Sequence, residues 1–272
     1  MPEQVSRRAL AAGLVLAAAS LASAAAPLPG APILPQPVRD LWPGPHIVRR
    51  GTWSTVVGHD ATGLGELARR ADTASRRVSA VLARPVRPLI VVPADAREAA
   101  ALARVGGVDG LAAVADGERV IVVPESFARL NPTGRDVVLA HELTHVVAGT
   151  GGLPVWLYEG FADYVAYRDA GLPVTTAAAE LAAEVRAGRL PTVLPGPAAF
   201  AANGGDPAAL ARAYQEAWLA CRFLADRFGE GTLVRLYRAA RVRGTDRALA
   251  ALGLSVATLT ARWRAYVRDQ LV

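Results

Sequence analysis

Apolar and polar positions between residues 46 and 132 follow the patterns of short strands and connecting helices. Alternation in HIVRRGTWSTVVG, at 46–58, predicts a strand, and the apolar run RPLIVVPA, at 87–94, predicts a second, buried one. An Asp-Gly pair separates two apolar runs in LAAVADGERVIVVP, at 111–124, which predicts a β-hairpin. Amphipathic helices are predicted over 62–83 and from about Asp95 to Arg104.

From residue 133 onward the hydrophobic period is helical throughout. A Thr133-x-x-Asp136 capping box predicts where the first of these helices starts, and Gly149 predicts where it stops. A second helix is predicted over 153–167, with Pro154 in its first turn. The predicted fold class is therefore α+β, a small mixed β-sheet with helices followed by an all-helical half.

The first 45 residues are typical of an export signal and a spacer. Arg7 and Arg8 precede an apolar stretch, and Ala22-Ser23-Ala24 fits a cleavage site after Ala24. We therefore predict a signal peptide at 1–24, a proline-rich spacer at 25–45 and one domain at 46–272, with a sheet part at 46–132 and a helical part at 133–272. The protein is expected to be secreted or associated with the cell envelope. An uncleaved N-terminal anchor is the alternative, and the start is compatible with either general or twin-arginine export.

Charge and cysteine content narrow the classes of partner. The net charge is +6, and all 30 basic residues are arginine. No arginine run or aromatic-interleaved basic motif is present, so we expect no nucleic-acid partner. Eleven Arg stand against five Asp plus Glu after residue 208, a surface compatible with weak association with anionic lipid or polymer. Cys221 is the only cysteine, which excludes an intrachain disulfide and predicts a small buried residue.

The motif HELTH, at 141–145, carries the candidate chemistry. His141 and His145 stand on one helical face about 6 Å apart in rise, so both imidazoles can reach one zinc ion. Glu142 is rotated about 100° from His141, where a carboxylate can take a proton from an activated water. The alternative is an ordinary helix whose histidines are exposed or hydrogen-bonded.

A catalytic zinc needs a third protein ligand. No histidine lies downstream of His145, so the third ligand should be a carboxylate. Glu159, in the helix that follows, is the candidate. Asp163 lies one turn later on the same face, where it can accept a hydrogen bond from the outer N–H of a ligand histidine, and His141 is the expected partner. The alternative for these two acids is a solvated helix face, which suits their apolar neighbours poorly.

HELTH followed by P-x-W-L-x-E-G-x-A-x-Y resembles the gluzincin clan of zinc metallopeptidases, in particular the compact bacterial peptidase-MA-like proteins, over about residues 85–230. The resemblance implies one Zn²⁺ per chain held by His141, His145 and Glu159, with Glu142 as general base and Asp163 hydrogen-bonded behind the ligands. It also implies that the strand ERVIVVP, at 118–124, is the sheet edge along which an extended peptide lies. The spacing from His145 to Glu159 is shorter than in thermolysin-like members.

The resemblance further implies a side chain on a late helix that stabilises the oxyanion. Tyr214, on the inward stripe of the predicted helix over 211–229, is the candidate, and a core tyrosine packed on Trp218 is the alternative. Tyr158 and Tyr164 are rivals.

The expected function is that of an exported zinc-dependent metallopeptidase acting on peptide or protein substrates. Its alternative is a catalytically silent, zinc-holding module of the same fold that binds peptide or cell-wall material. The sequence leaves the oligomeric state and the cleavage specificity open.

Overall fold

A computed structural model describes residues 46–201 and 206–272 of the protein. The predicted signal peptide and spacer lie outside the described residues. Within the described ranges the architecture is α+β: a five-stranded mixed sheet on the N-terminal side, followed by helices. The predicted fold class is confirmed.

The sheet contains β1 (Ile47–Arg50), β2 (Thr55–Gly58), β3 (Leu89–Val92), β4 (Ala113–Ala115) and β5 (Val120–Val122). Their spatial order is β1-β2-β3-β5-β4. The two outer pairs, β1 with β2 and β4 with β5, are antiparallel, whereas β3 runs parallel to both of its neighbours. The hairpin predicted around Asp116-Gly117 is therefore confirmed.

The resemblance assigned the wrong strand to the sheet edge. Strand β5, within ERVIVVP, lies between β3 and β4 and is paired on both sides, so its backbone has no free edge for a peptide. The edge beside it is β4. The order of two hairpin strands depends on which one pairs with β3, and this is a contact between segments distant in the chain.

The prediction of a single strand over 46–58 is wrong, because this segment forms two strands joined by a tight turn at 51–54. Asp72 organises this turn from the following helix: it accepts hydrogen bonds from the backbone N–H groups of Thr52, Trp53 and Ser54, and from the Ser54 hydroxyl. A Cβ on Gly51 would lie 2.5 Å from the Asp72 carboxylate, so the turn requires glycine there.

Eleven α-helices occur in the described ranges. In chain order they are α1 (Leu64–Leu82), α2 (Ala96–Ala103), α3 (Pro124–Ala128), α4 (Pro132–Ala148), α5 (Val155–Tyr167), α6 (Val174–Ala177), α7 (Ala179–Arg186), α8 (Pro207–Phe228), α9 (Glu230–Arg243), α10 (Thr245–Ala250) and α11 (Val256–Leu271). A 3-10 turn at Pro197–Phe200 precedes α8. No helix in these ranges is long and apolar enough to cross a membrane.

The two faces of the sheet pack against different layers. Alternate residues of the central strands divide between them: Ile90 and Val120 join the large core formed with α1, α4, α5 and the later helices, while Val91 and Ile121 join a small core under α2. The large core extends from Val56 to Leu271, so it contains residues of both the sheet part and the helical part. The second half of helix α4 lies within this core, which is why the polar side chains of HELTH are buried.

Helices α5 and α8 approach each other closely at Gly160. A Cβ at this position would lie 2.1 Å from the carbonyl oxygen of Ala217, closer than two atoms can pack. Cys221, predicted to be a small buried residue, is fully buried beside the same contact. The small side chains thus set how deeply α5, and with it Glu159, sits against the rest of the helical half.

Candidate metal centre

Helix α4 starts two residues earlier than the capping box predicted. Asn131 is the N-cap, its side chain accepting from the N–H of Gly134 at 2.7 Å, and Pro132 occupies the first turn. The Asn-Pro pair was the signal in the sequence that indicated this start. The helix ends at Gly149, as predicted. Helix α5 begins directly after Pro154, which acts as its N-cap.

The structure brings His141, His145 and Glu159 together. The Nε2 atoms of the two histidines are 2.9 Å apart, and the Oε2 atom of Glu159 lies 3.2 Å from the first and 3.3 Å from the second. Ligand atoms held at roughly 2.0–2.1 Å around a tetrahedral zinc stand about 3.3 Å from one another. The spacings and the two-nitrogen, one-carboxylate donor set therefore fit a zinc ion with one coordination position left open.

This trio is the only group in the described ranges with three or more His, Cys, Asp or Glu side chains close enough to share a metal ion. The other two histidines lie elsewhere: His59 pairs with Glu98 at 2.9 Å, and His46 precedes β1. All three members of the trio are buried.

Asp163 lies behind His141. The His141 Nδ1–H donates to Oδ1 of Asp163 at 2.7 Å, because an ionised carboxylate can only accept. In that tautomer the lone pair of His141 is on Nε2, which faces His145 and Glu159. A metal ion would bind this lone pair. Burial raises the pKa of Asp163, and the His141 charge acts in the opposite direction.

The electrostatics of the trio favour a positive charge at its centre. Burial lowers the pKa of His141, but Asp163 and then Glu159 outweigh it, and the pKa lies well above its usual value. Burial likewise raises the pKa of Glu159, yet the two histidines bring it down to about 2. The carboxylate therefore stays ionised and ready to bind a cation.

Glu142 lies beside the trio with one oxygen unsatisfied. Its Oε2 atom is buried without a hydrogen-bond partner in the described part of the chain, as is Nδ1 of His145. Burial raises the pKa of Glu142 to about 8, partly offset by His141, and the backbone amide of Ala115 in the edge strand β4 also lowers it. A buried carboxylate oxygen without a hydrogen-bond partner lowers the stability of the folded protein. Such an oxygen is therefore typical of a position where a ligand or a water molecule binds.

The three candidate tyrosines occupy different places. The ring of Tyr214 lies edge-on to His141, with centroids 6.3 Å apart, and also packs on Phe200. The Tyr158 ring lies 5.9 Å from His145, and burial followed by the Glu159 charge raises its pKa to about 12, so its hydroxyl keeps its proton. The Tyr164 hydroxyl instead donates to Glu230 at 2.9 Å. Tyr214 and Tyr158 thus border the candidate metal centre, one beside each histidine, and Tyr164 does not.

Two arginines hold the C-terminal ends of both site helices. Arg77, buried in α1, donates to the carbonyl of Ala166 at 2.5 Å near the end of α5. Arg241 donates to Ala148 at 2.6 Å at the end of α4. A cation near a helix C-terminus stabilises the helix. Each arginine is distant in sequence from the carbonyl that it binds, so no local sequence pattern predicts these contacts.

No protein-family model matches this chain, and no curated protein matches it. The resemblance to gluzincins therefore stays a prediction from the motif residues.

Proposed function

We propose that this protein is an exported zinc-dependent metallopeptidase. The observation that carries the proposal is the mutual spacing of 2.9–3.3 Å among His141, His145 and Glu159, which fits one zinc ion. His141 is hydrogen-bonded to Asp163, and Oε2 of Glu142 has no hydrogen-bond partner among the described residues. These groups would supply the metal ligands, the group that orients one of them and the general base of metal-assisted peptide hydrolysis, and a donor to the oxyanion would complete the set.

Each side chain has a distinct task in this reaction. Two histidines and one carboxylate would hold the ion, which, when bound, supplies Lewis-acid activation of a water molecule and of the scissile carbonyl. Glu142 would accept a proton from the attacking water and deliver it to the leaving amine. Tyr214 or Tyr158 would donate a hydrogen bond to the developing oxyanion.

Substrate would approach beside β4, because that strand is the sheet edge next to Glu142. The backbone of Ala115 already contacts the Glu142 carboxylate, so a peptide paired with β4 would place its carbonyl groups near the metal centre. This replaces the edge that the sequence resemblance had indicated.

A second candidate function is a zinc-holding, catalytically silent binding module. One observation favours it: His141, Glu142, His145, Glu159 and Asp163 are each at most 9% exposed, so a peptide must gain access to a deeply buried centre.

Cleavage of a mixed peptide library by the zinc-loaded protein, compared with Glu142→Gln, tests the choice between them. Glu142→Gln keeps all three ligands, and Glu125→Gln, an exposed glutamate on α3, serves as the matched control. We expect the control to cut normally and Glu142→Gln to lose about 10²–10⁴ of the rate with its zinc content unchanged. Equal cutting by both variants would refute the assignment of the base. Zinc binding with no cutting by any protein would favour the binding module, and failure of the wild type to bind zinc would exclude both functions.

A further inference from the structure

Three arginines converge on one cavity behind helix α4. Arg84, Arg238 and Arg241 all line a cavity of about 180 Å³ between the ends of α1 and α4 and the side of α9. This volume is several times the roughly 30 Å³ that a water molecule occupies in the liquid, enough for a small oxyanion and its hydration. We call this the arginine cavity.

None of the three guanidinium groups has a carboxylate partner within ion-pair distance among the described residues. Each instead donates to one backbone carbonyl: Arg84 to Val147, Arg238 to Leu82 at 2.8 Å and Arg241 to Ala148. A guanidinium carries five N–H donors, so each of these exposed side chains retains donors beyond the one that its carbonyl uses.

The carbonyls compensate only part of the charge. They belong to the last turns of α1 and α4, and a helix C-terminus carries roughly half a negative charge. Two such ends offset about one of the three positive charges, which leaves an excess of about two. Burial lowers the pKa of Arg84 and the nearby charge of Arg238 lowers it further, as expected for like charges held close together without a counter-ion.

A second cavity of about 180 Å³ adjoins the first, because Arg84 and Val147 line both. It adds Arg87, whose guanidinium stacks over the ring of Trp53 at 5.9 Å. Of the described residues that line this second cavity, Glu118 is the only acidic one, and Arg119 there is already paired with Asp116. The positive surface therefore continues beyond the arginine cavity.

We propose that the arginine cavity is a binding site for a phosphate-bearing anion. Guanidinium groups match phosphate oxygens with paired N–H donors, and three of them on one cavity provide both the charge and the donors. The site is separate from the metal centre: Leu143 and Val147 border these cavities, and each lies about 200° round α4 from His141 and His145 respectively. The proposal therefore does not rest on peptidase activity.

The same arginines cap two helices, and a purely structural role is the competing explanation. Capping predicts that removing an arginine lowers stability whether or not an anion is present. Anion binding predicts in addition a saturable interaction with phosphate that each substitution weakens.

Isothermal titration of the full-length protein with inorganic phosphate, at ionic strength held constant with chloride, tests the proposal. The variants are Arg238→Gln and Arg241→Gln, in which the amide can still donate to the helix carbonyl. Arg262→Gln removes an equal charge from an exposed position on α11 and is the control. We expect saturable binding by wild type and control, and a dissociation constant about tenfold or more higher in the two cavity variants.

Two further variants keep the result interpretable. Arg241→Lys retains the charge at the cavity and should retain part of the binding if Arg241→Gln proves too unstable to titrate. Glu159→Gln removes a metal ligand, and unchanged phosphate affinity there would show that the phosphate does not bind at the metal centre. Absence of saturable binding by wild type, or equal binding by all arginine variants, would overturn the proposal.

Repeating the titration with a linear polyphosphate distinguishes a free phosphate from a phosphate-bearing polymer. If Arg87→Gln weakens binding of the polymer but not of inorganic phosphate, the ligand extends into the second cavity. If Arg87→Gln weakens neither, the arginine cavity alone forms the site and takes one phosphate group.

Discussion

Asp72 and Glu142 are both buried carboxylates that contact the same sheet, yet their surroundings differ in kind. Asp72 accepts four hydrogen bonds from the turn between β1 and β2, and although burial raises its pKa, those donors outweigh burial and lower it. Within the described part of the chain one oxygen of Glu142 has no hydrogen-bond partner, and burial raises the pKa of this residue to about 8. A carboxylate that holds the fold together is saturated by donors, whereas one available for chemistry is not.

The difference extends to neighbouring residues. Ser54 and the backbone around Asp72 are neutral donors, so the Asp72 cluster needs no further ligand. The candidate metal centre combines Glu159 and Asp163 with two imidazoles whose Nε2 atoms point at each other. Such an arrangement is stabilised by a shared cation, so substitutions in the two clusters should change different measured quantities.

The largest expected effect is on metal content. Glu159→Gln removes the only anionic ligand of the trio while keeping its shape, so we expect the zinc content to fall from about one ion per chain to well below that after dialysis. Metal analysis by mass spectrometry measures it. Asp72→Asn, analysed in parallel, should retain its zinc. Full occupancy in Glu159→Gln would remove Glu159 from the ligand set.

The next effect is on catalysis. Tyr214→Phe keeps the ring that packs on His141 and Phe200 and removes only the hydroxyl. If this hydroxyl stabilises the oxyanion, kcat should fall by about 10²–10³ with no change in zinc affinity. Tyr158→Phe is the matched comparison on the side of His145. A normal kcat in Tyr214→Phe and a reduced one in Tyr158→Phe would transfer the role to Tyr158.

Asp163→Asn should have a smaller effect, on metal affinity. The Asn side chain keeps a hydrogen bond to His141 but loses the charge that holds its tautomer, so zinc affinity should fall by about 10–100-fold. Competition with a chromogenic chelator measures the affinity. An unchanged affinity would mean that Asp163 only fills space behind the histidine.

Asp72→Asn should have the smallest effect on function and a clear effect on stability. Losing the charge that four donors share should lower the free energy of unfolding by about 2–3 kcal/mol, as measured by urea denaturation. Because the pKa of Asp72 is lower in the folded protein, its contribution is fully present above its unfolded pKa and is lost as pH falls through the folded value. The stability difference between wild type and Asp72→Asn should therefore shrink below about pH 4. A difference that stays constant down to pH 2 would contradict this account.

Local patterns in the sequence were sufficient for most elements. The helix over 62–83, the strand within 87–94, the Asp-Gly hairpin and the helical half after residue 133 follow from period and turn chemistry, which act over a few residues. The same locality explains the errors: the turn at 51–54 is held by Asp72, which lies 18 to 20 residues away, and the helix start at Asn131 was hidden by a second, plausible cap.

The sequence by itself determined the fold class. It also determined that two histidines stand at metal-ligand spacing, because side chains four positions apart on one helix lie on the same face. Only the tertiary structure decided that Glu159 meets both histidines, since that depends on how closely α5 packs on α8 at Gly160. It also decided that β4 rather than β5 is the sheet edge, and that Arg84, just after α1, shares a cavity with two arginines of α9. These are contacts between segments distant in the chain, whose free energies come from packing that no local pattern encodes.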